Sequence, residues 1–514
     1  MDRPSGDKEF IQFSLRGDFE LNDTMTLTGL IAHSDYEQDQ VQDGDGHNLV
    51  TAGFIHNKGE AKSTFAEIRL AGDQDSLRWV LGANYEDSST MEDQLLEFSD
   101  NTTYRPQTAW ITRTGSLLEQ DIESYAVFGN IDYDINEALT LKFGARYTDT
   151  TIDAYSCNYA PLNAPGSIDT SGNGVAAGSN VAGLFNVLGG LSGRAFDPIG
   201  PGDCFTLDDA PGFGVPGTPF ISELAEDNIS WRAGIDYQLN EDVLLYANIS
   251  QGYKAGSYPT LAANDFNQLL PVTEESVLAY EIGFKQSMAE GRVQWNGAVF
   301  YYDYEDKQER GKIEIALFGP LDRLVNVPES TIYGAETDIV AQLTDKLTLT
   351  AALTYLDSEI DEYTGFDVYG ESRDLSGNEL PYTPELTYSL DLDYRTPLQQ
   401  GGTLFMGVNV VGQTDSDGVF DADDLSIYTH PAFPGNIDGG FHKSVTENYF
   451  TIESYATVGA RIGYESDDTR WRVMLWGKNI TDEYYYNSVI ASSEGAARVA
   501  GRPRTYGITL GYQY

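Results

Sequence analysis

Two cysteines, five histidines and a large excess of carboxylates are the side chains through which this 514-residue chain could do chemistry. Cys157 and Cys204 fall in one long Gly- and Pro-rich segment, a placement that favours a loop-closing disulfide made in an oxidising compartment over free thiols. No histidine or further cysteine stands near them to complete a zinc set. His33, His47, His56, His430 and His442 show no pairwise metal-ligand spacing. The runs DGDG at 43–46 and DSDGVFDADD at 415–424 place oxygen ligands close together, as calcium requires, but neither follows the helix–loop–helix calcium pattern with its closing Glu. They read as solvated acidic loops. Asp and Glu are too abundant for a catalytic pair to stand out, and no nucleophile elbow, phosphate loop or zinc-protease motif appears. The expectation is therefore no enzyme, no metal site and no cofactor.

Charge narrows the partners. Lys and Arg number 31 against 80 Asp and Glu, a formal net charge of −49. Such a balance argues against nucleic acid or an anionic lipid surface, and it draws cations instead.

The elements that must position these groups are strands. Aromatic residues make up 12% of the chain, with 33 Tyr, 23 Phe and 52 Gly, a mixture that favours strands and tight turns. Short polar turns recur between period-two segments: FELNDTMTL, AGDQDSLRW, DYDINEALTL, DYQLNEDVLL, QSMAEGRVQ, AQLTDKLTL, YRTPLQQGGTL and YESDDTRW. Eight hairpins give sixteen strands, and the C-terminal RTYGITLGYQY gives a seventeenth. Its Tyr506, Ile508, Leu510, Tyr512 and Tyr514 alternate with small or polar residues up to the final position. Longer polar loops alternate with the short turns.

Each strand carries one apolar and one charged face. Leu139, Leu141, Phe143, Ala145 and Tyr147 oppose Thr140, Lys142, Gly144, Arg146 and Thr148; Ile229, Trp231, Ala233, Ile235 and Tyr237 oppose Ser230, Arg232, Gly234, Asp236 and Gln238. The segments run about 10 to 14 residues, enough to cross a bilayer at a tilt and longer than soluble strands. Tyr and Trp gather near strand ends, where an interfacial girdle lies. No run of apolar residues is long enough for a membrane-spanning helix. An apolar face turned to lipid requires every backbone group to pair within the sheet. Arg146, Arg232, Lys254, Lys285 and Arg461 then point into a water-filled lumen, where Arg146, Arg232, Lys254 and Arg461 are candidates to line a ligand path, with Tyr253 beside Lys254.

Six stretches carry a resemblance: SQGYKAGSYPT at 250–260, ESVLAYEIGFK at 275–285, STIYGAETDI at 330–339, GNELPYTPELTYSLDLDY at 377–394, WGKNITDEYY at 476–485 and GRPRTYGITLGYQY at 501–514. Together they resemble the C-terminal β-barrel of TonB-dependent outer-membrane receptors. The resemblance implies an all-β transmembrane antiparallel barrel in the outer membrane of a Gram-negative bacterium, active uptake of a scarce solute (a siderophore, haem, cobalamin or oligosaccharide), outer-membrane lipid around the wall, and a terminal aromatic strand read by the barrel-assembly machinery. The TonB complex would be reached only through a plug domain. No plug-like region, TonB-engaging peptide or signal peptide precedes the first strand at about Glu9.

Parity sharpens that departure. Transporters of this type have about 22 strands around a plugged lumen, and antiparallel closure needs an even count. Seventeen is odd, so the first and last strands both descend. The expectation is an N-terminally truncated barrel over residues 1–514, with residues 154–226 as a long extracellular loop. A passive porin-like channel and a soluble secreted β-rich binding protein are the alternatives.

Overall fold

The computed structural model describes residues 4–44, 53–97, 111, 113–161, 180–210, 212–316, 318–367, 370–422, 450–492 and 495–513. The chain opens with β1 (Ser5–Asn22), β2 (Met25–Asp43), β3 (Gly53–Gln74), β4 (Leu77–Glu97), β5 (Arg113–Asn136) and β6 (Leu139–Tyr159). Helix α1 (Asn180–Leu191) precedes β7 (Phe220–Asn240), β8 (Val243–Lys254), β9 (Glu275–Met288), β10 (Val293–Ile315), β11 (Gly319–Thr344) and β12 (Leu347–Glu362). A small hairpin of β13 (Thr364–Phe366) and β14 (Ser372–Asp374) leads into β15 (Leu386–Pro397) and β16 (Thr403–Gln413). Next come the paired β17 (Ser416–Asp417) and β18 (Thr451–Ile452), then β19 (Tyr455–Glu465) and β20 (Trp471–Lys478). The hairpin β21 (Tyr486–Ser492) and β22 (Gly495–Ala500) comes before the last strand, β23 (Thr505–Tyr512).

Leaving out the three small two-stranded sheets, the strands form one 17-stranded sheet in which each pairs antiparallel with the next along the chain. The eight short turns fall where the sequence places them. Three share one device: Asn22, Asn136 and Asn240 each accept the backbone N–H two residues on at 2.9 Å, and each closes its strand pair with a one-residue register shift. Thr344 takes the same place in the β11–β12 turn, accepting from Lys346.

Two expectations change. The wall strands are not all 10 to 14 residues: β3 to β7, β10 and β11 run from 21 to 26. About 10 residues suffice to cross the apolar band, so much of each of these strands stands beyond it, at the end opposite the short turns. There the alternation continues between two polar faces, as in SDYEQDQVQD of β2, and contrast between faces was the signal for length. Nor are all the connections at that end long, because Ile315 and Gly319 close β10 and β11 as a hairpin.

The apolar face looks outward. Ile282 is 64% exposed, Ile508 68% and Leu510 73%, whereas their neighbours in sequence face the interior of the shell. A face of that extent is stable only against lipid. Among the described residues β1 pairs with β2 alone and β23 with β20 alone. The two edge strands run in the same direction, so they cannot pair antiparallel with each other. Buried clusters sit at the long-loop end, where connections fold over and into the shell.

Candidate functional site

The interior wall and the loops at its mouth are the surfaces that can meet a solute. Arg146, Arg232 and Arg461 lie on the interior face, and they differ in what holds them. The Arg461 guanidinium forks onto Asp391 at 2.7 and 2.8 Å and reaches Asp393 at 2.8 Å. Asp391 and Asp393 share one face of β15 because they are two residues apart, and Arg461 lies two strands away on β19. Gly407 of β16 stands between, in register with both Asp393 and Arg461. A Cβ there would come within 2.5 Å of Arg461 Cζ, so the glycine is what lets the arginine cross. Arg461 thus braces the wall.

Arg146 donates to Thr148 at 3.0 Å and to Asn84 at 3.2 Å, and its guanidinium lies 5.6 Å from the Phe128 ring centre. Arg232 lines an interior cavity of about 380 Å³ with Asn248, Ser250, Glu281, Tyr302 and Tyr304. This hollow combines a cation, a carboxylate, amide and hydroxyl groups, and two aromatic rings, a set suited to a polar, partly aromatic surface. Lys254 ends β8, is mostly exposed, and stands 3.8 Å from Glu275. The wall therefore offers the four cations at separate places: two held, one beside a cavity, one at the rim.

The mouth is built from two connections that the sequence did not link. Cys157 and Cys204 are bridged, and Tyr159 and Cys204 pair as an isolated bridge. Behind them α1 packs Val181, Ala182 and Phe185 against Phe205 and Leu207, with Phe185 and Phe205 rings 4.8 Å apart. Residues 255–274 fold inward, setting Tyr258, Ala263 and Leu269 against Leu118, Ile152 and Phe220 of the wall. Backbone bonds Leu207 N–H to Asn264 and Phe266 N–H to Leu207 join the two connections. Asn158 sits fully buried at the junction; with its amide oriented to suit its neighbours it donates to Leu261 and Ser116 and accepts from Ala263 and Thr206.

Carboxylates tie the same mouth. Glu226 accepts the Gly256 and Glu274 backbone N–H groups, each at 2.8 Å, and Asn228 donates to Glu274 at 3.1 Å. Burial pushes the Glu274 carboxyl above the ordinary range; the Asn228 amide opposes the shift, while Glu226 and Asp227 add to it. At Asp208 burial pushes the other way from the net result: Arg194 and the Val215 and Ala210 amides outweigh it and hold the carboxyl low. The signal missed in the sequence was LAANDFNQLLPV, whose spaced Leu and Phe mark a loop that packs.

The remaining sequence candidates are placed as follows. Tyr506, Ile508, Leu510 and Tyr512 lie on the outward face of β23, and Tyr514 is outside the described residues. His33 bonds Thr64 at 3.0 Å and His56 stands 3.5 Å from Asp93; His47, His430 and His442 are outside the described residues. Of DSDGVFDADD, Asp417 accepts from Thr451 and Asp421 pairs with Arg373, while residues 423–424, like 45–46, are not described. Among the described residues, no three His, Cys, Asp or Glu converge on a common metal position.

A family model described as "TonB dependent receptor-like, beta-barrel" matches residues 2–480. The chain belongs to this family. The ferric-pyoverdine receptor PbuA of a Pseudomonas species is 26% identical over 278 residues, 53% of this chain and 28% of that protein. The probable TonB-dependent siderophore receptor PiuA of Acinetobacter baumannii is 27% identical over 180 residues, 33% of this chain and 23% of its own. Among solved structures, the ferric yersiniabactin uptake receptor FyuA of Yersinia pestis superposes with a TM-score of 0.69 at 14% identity, covering 99% of this chain and 62% of that one. The siderophore receptor PiuA of Acinetobacter baumannii gives 0.68 at 16% identity, covering 100% and 65%. The chain thus spans under two thirds of these relatives' lengths. As a TonB-dependent receptor β-barrel its place is the outer membrane, which it crosses with strands; among the described residues no helix is long and apolar enough to cross a membrane.

Proposed function

We propose that the chain forms the greater part of the barrel wall and the ligand-facing loops of a receptor that takes up a siderophore, an iron-chelating small molecule, through TonB-coupled transport. What supports this is a family match along nearly the whole chain together with relatives named as siderophore receptors. In this reading the short turns face the periplasm, the long loops face outside, and the loop pinned by the disulfide is narrower than the expected 154–226, because β6 runs on to Tyr159 and β7 begins at Phe220. Strands ahead of β1 would be odd in number, the first and last running upward, because β1 and β23 both descend; about five would complete a barrel of about 22. A plug within that barrel would carry the contact with TonB, and β23 would be the strand taken up by the assembly machinery.

Uptake of radioactive iron presented as a panel of siderophores tests the proposal in cells carrying the natural gene. Uptake that depends on both the gene and TonB is expected. Gene-dependent uptake that persists without TonB would mean passive diffusion and overturn it.

A further inference from the structure

A second cavity, of about 710 Å³, opens on the outer face of the sheet. Its shape follows from register. One cross-strand row reads Leu392, Val408, Ala460, Gly477, Tyr506, and the adjoining row reads Tyr394, Met406, Ile462, Leu475, Ile508. In the first row the side chains dwindle to Ala and Gly between Val and Tyr, leaving a trough, while the second row supplies an unbroken bank. Ile480 and Tyr506 lean over the buried Gly477, at 2.7 and 2.9 Å from where a Cβ would stand, and close that end, so the trough lies open over Ala460.

We propose that this trough seats one acyl chain of a phospholipid from the bilayer leaflet on the short-turn side. The trough is continuous with the lipid-facing band of the wall, and its volume lies in the range of about 300 to 1,000 Å³ that holds a small ligand. Its low end is Leu347, the first residue of β12, preceded in the short turn by the exposed Lys346, an ammonium at headgroup level. Bulk lipid is as apolar as the trough, so retention comes from close packing into a fixed shape, without a hydrophobic gain.

The test is native mass spectrometry of the full chain extracted from its own outer membrane in mild detergent. The wild type is expected to keep one phospholipid under activation that strips the others. Ala460→Phe fills the trough and should lower that occupancy at least tenfold, as should Val408→Trp if the first variant does not fold. Ala145→Phe, on the outer face of β6, should leave it unchanged. Equal retention by the wild type and the filled variants overturns the proposal. So does a wild type that holds no lipid but dimerises, with the dimer lost on filling, since the trough then seats a second copy. Siderophore uptake plays no part in the readout, so either proposal can fail alone.

Discussion

Removing the bridge with Cys157→Ala and Cys204→Ala should loosen the mouth and leave the wall intact. The disulfide spans 47 positions of a segment that the β6–β7 pair, ending at Ser156 and Phe220, already ties at both ends. Dividing a closed loop in two in this way equals closing a free chain of about 12 residues, which the chain-entropy relation converts to about 3 kcal/mol. That is roughly a hundredfold in the local opening equilibrium. Amide exchange in bicelles reads it directly, because Gly202 N–H donates to Ala160 and Phe205 N–H to Asn158, both at 2.7 Å beside the bridge. Those two amides should exchange about a hundredfold faster in the variant, with strand amides such as those of β9 unchanged. Unchanged exchange at Gly202 and Phe205 would refute the reasoning, and would mean that the cluster around Phe185 holds the segment unaided.

Ile508→Lys puts a charge on the lipid face and should cost about 2–4 kcal/mol in reversible unfolding from vesicles, against about 1 kcal/mol for Thr509→Lys, which points inward and loses only the bond from Trp476. Arg461→Met should cost about 1–2 kcal/mol in the same assay, since the fork is partly screened by water; Arg461→Lys should recover little, because an ammonium cannot fork. Glu274 has a raised folded pKa, so the folded mouth binds its proton more tightly than the open one. Protection of the Ser257 and Val272 amides, which bond each other's carbonyls, should therefore rise as pH falls from neutral through that raised value, and Glu274→Gln should flatten the profile.

The seventeen wall strands were legible in the sequence because each short turn is local chemistry. Asn22, Asn136 and Asn240 cap their own turns through bonds two residues long, and the lipid face leaves a period of two that needs no partner to be recognised. WGKNITD marked the family in sequence; in the structure Asn479 takes a left-handed backbone at a φ of 48° and bonds Glu483 and Arg502, turning the chain out of β20. The cysteine pair was legible too, since two thiols in one segment leave a single bridge to form.

Tertiary structure decided what depends on contacts distant in sequence. That Arg461 braces Asp391 and Asp393 while Arg232 lines a cavity rests on which strand lies two places away and on a glycine between them. That residues 255–274 fold inward to meet the disulfide-bound segment rests on Asn158, buried among four partners from three stretches of the chain. The trough on the outer wall is lined by residues of six strands that only register brings side by side. Alternation tells which face a side chain takes, but not which strand stands beside it, and charge pairing, cavities and grooves are all properties of neighbours.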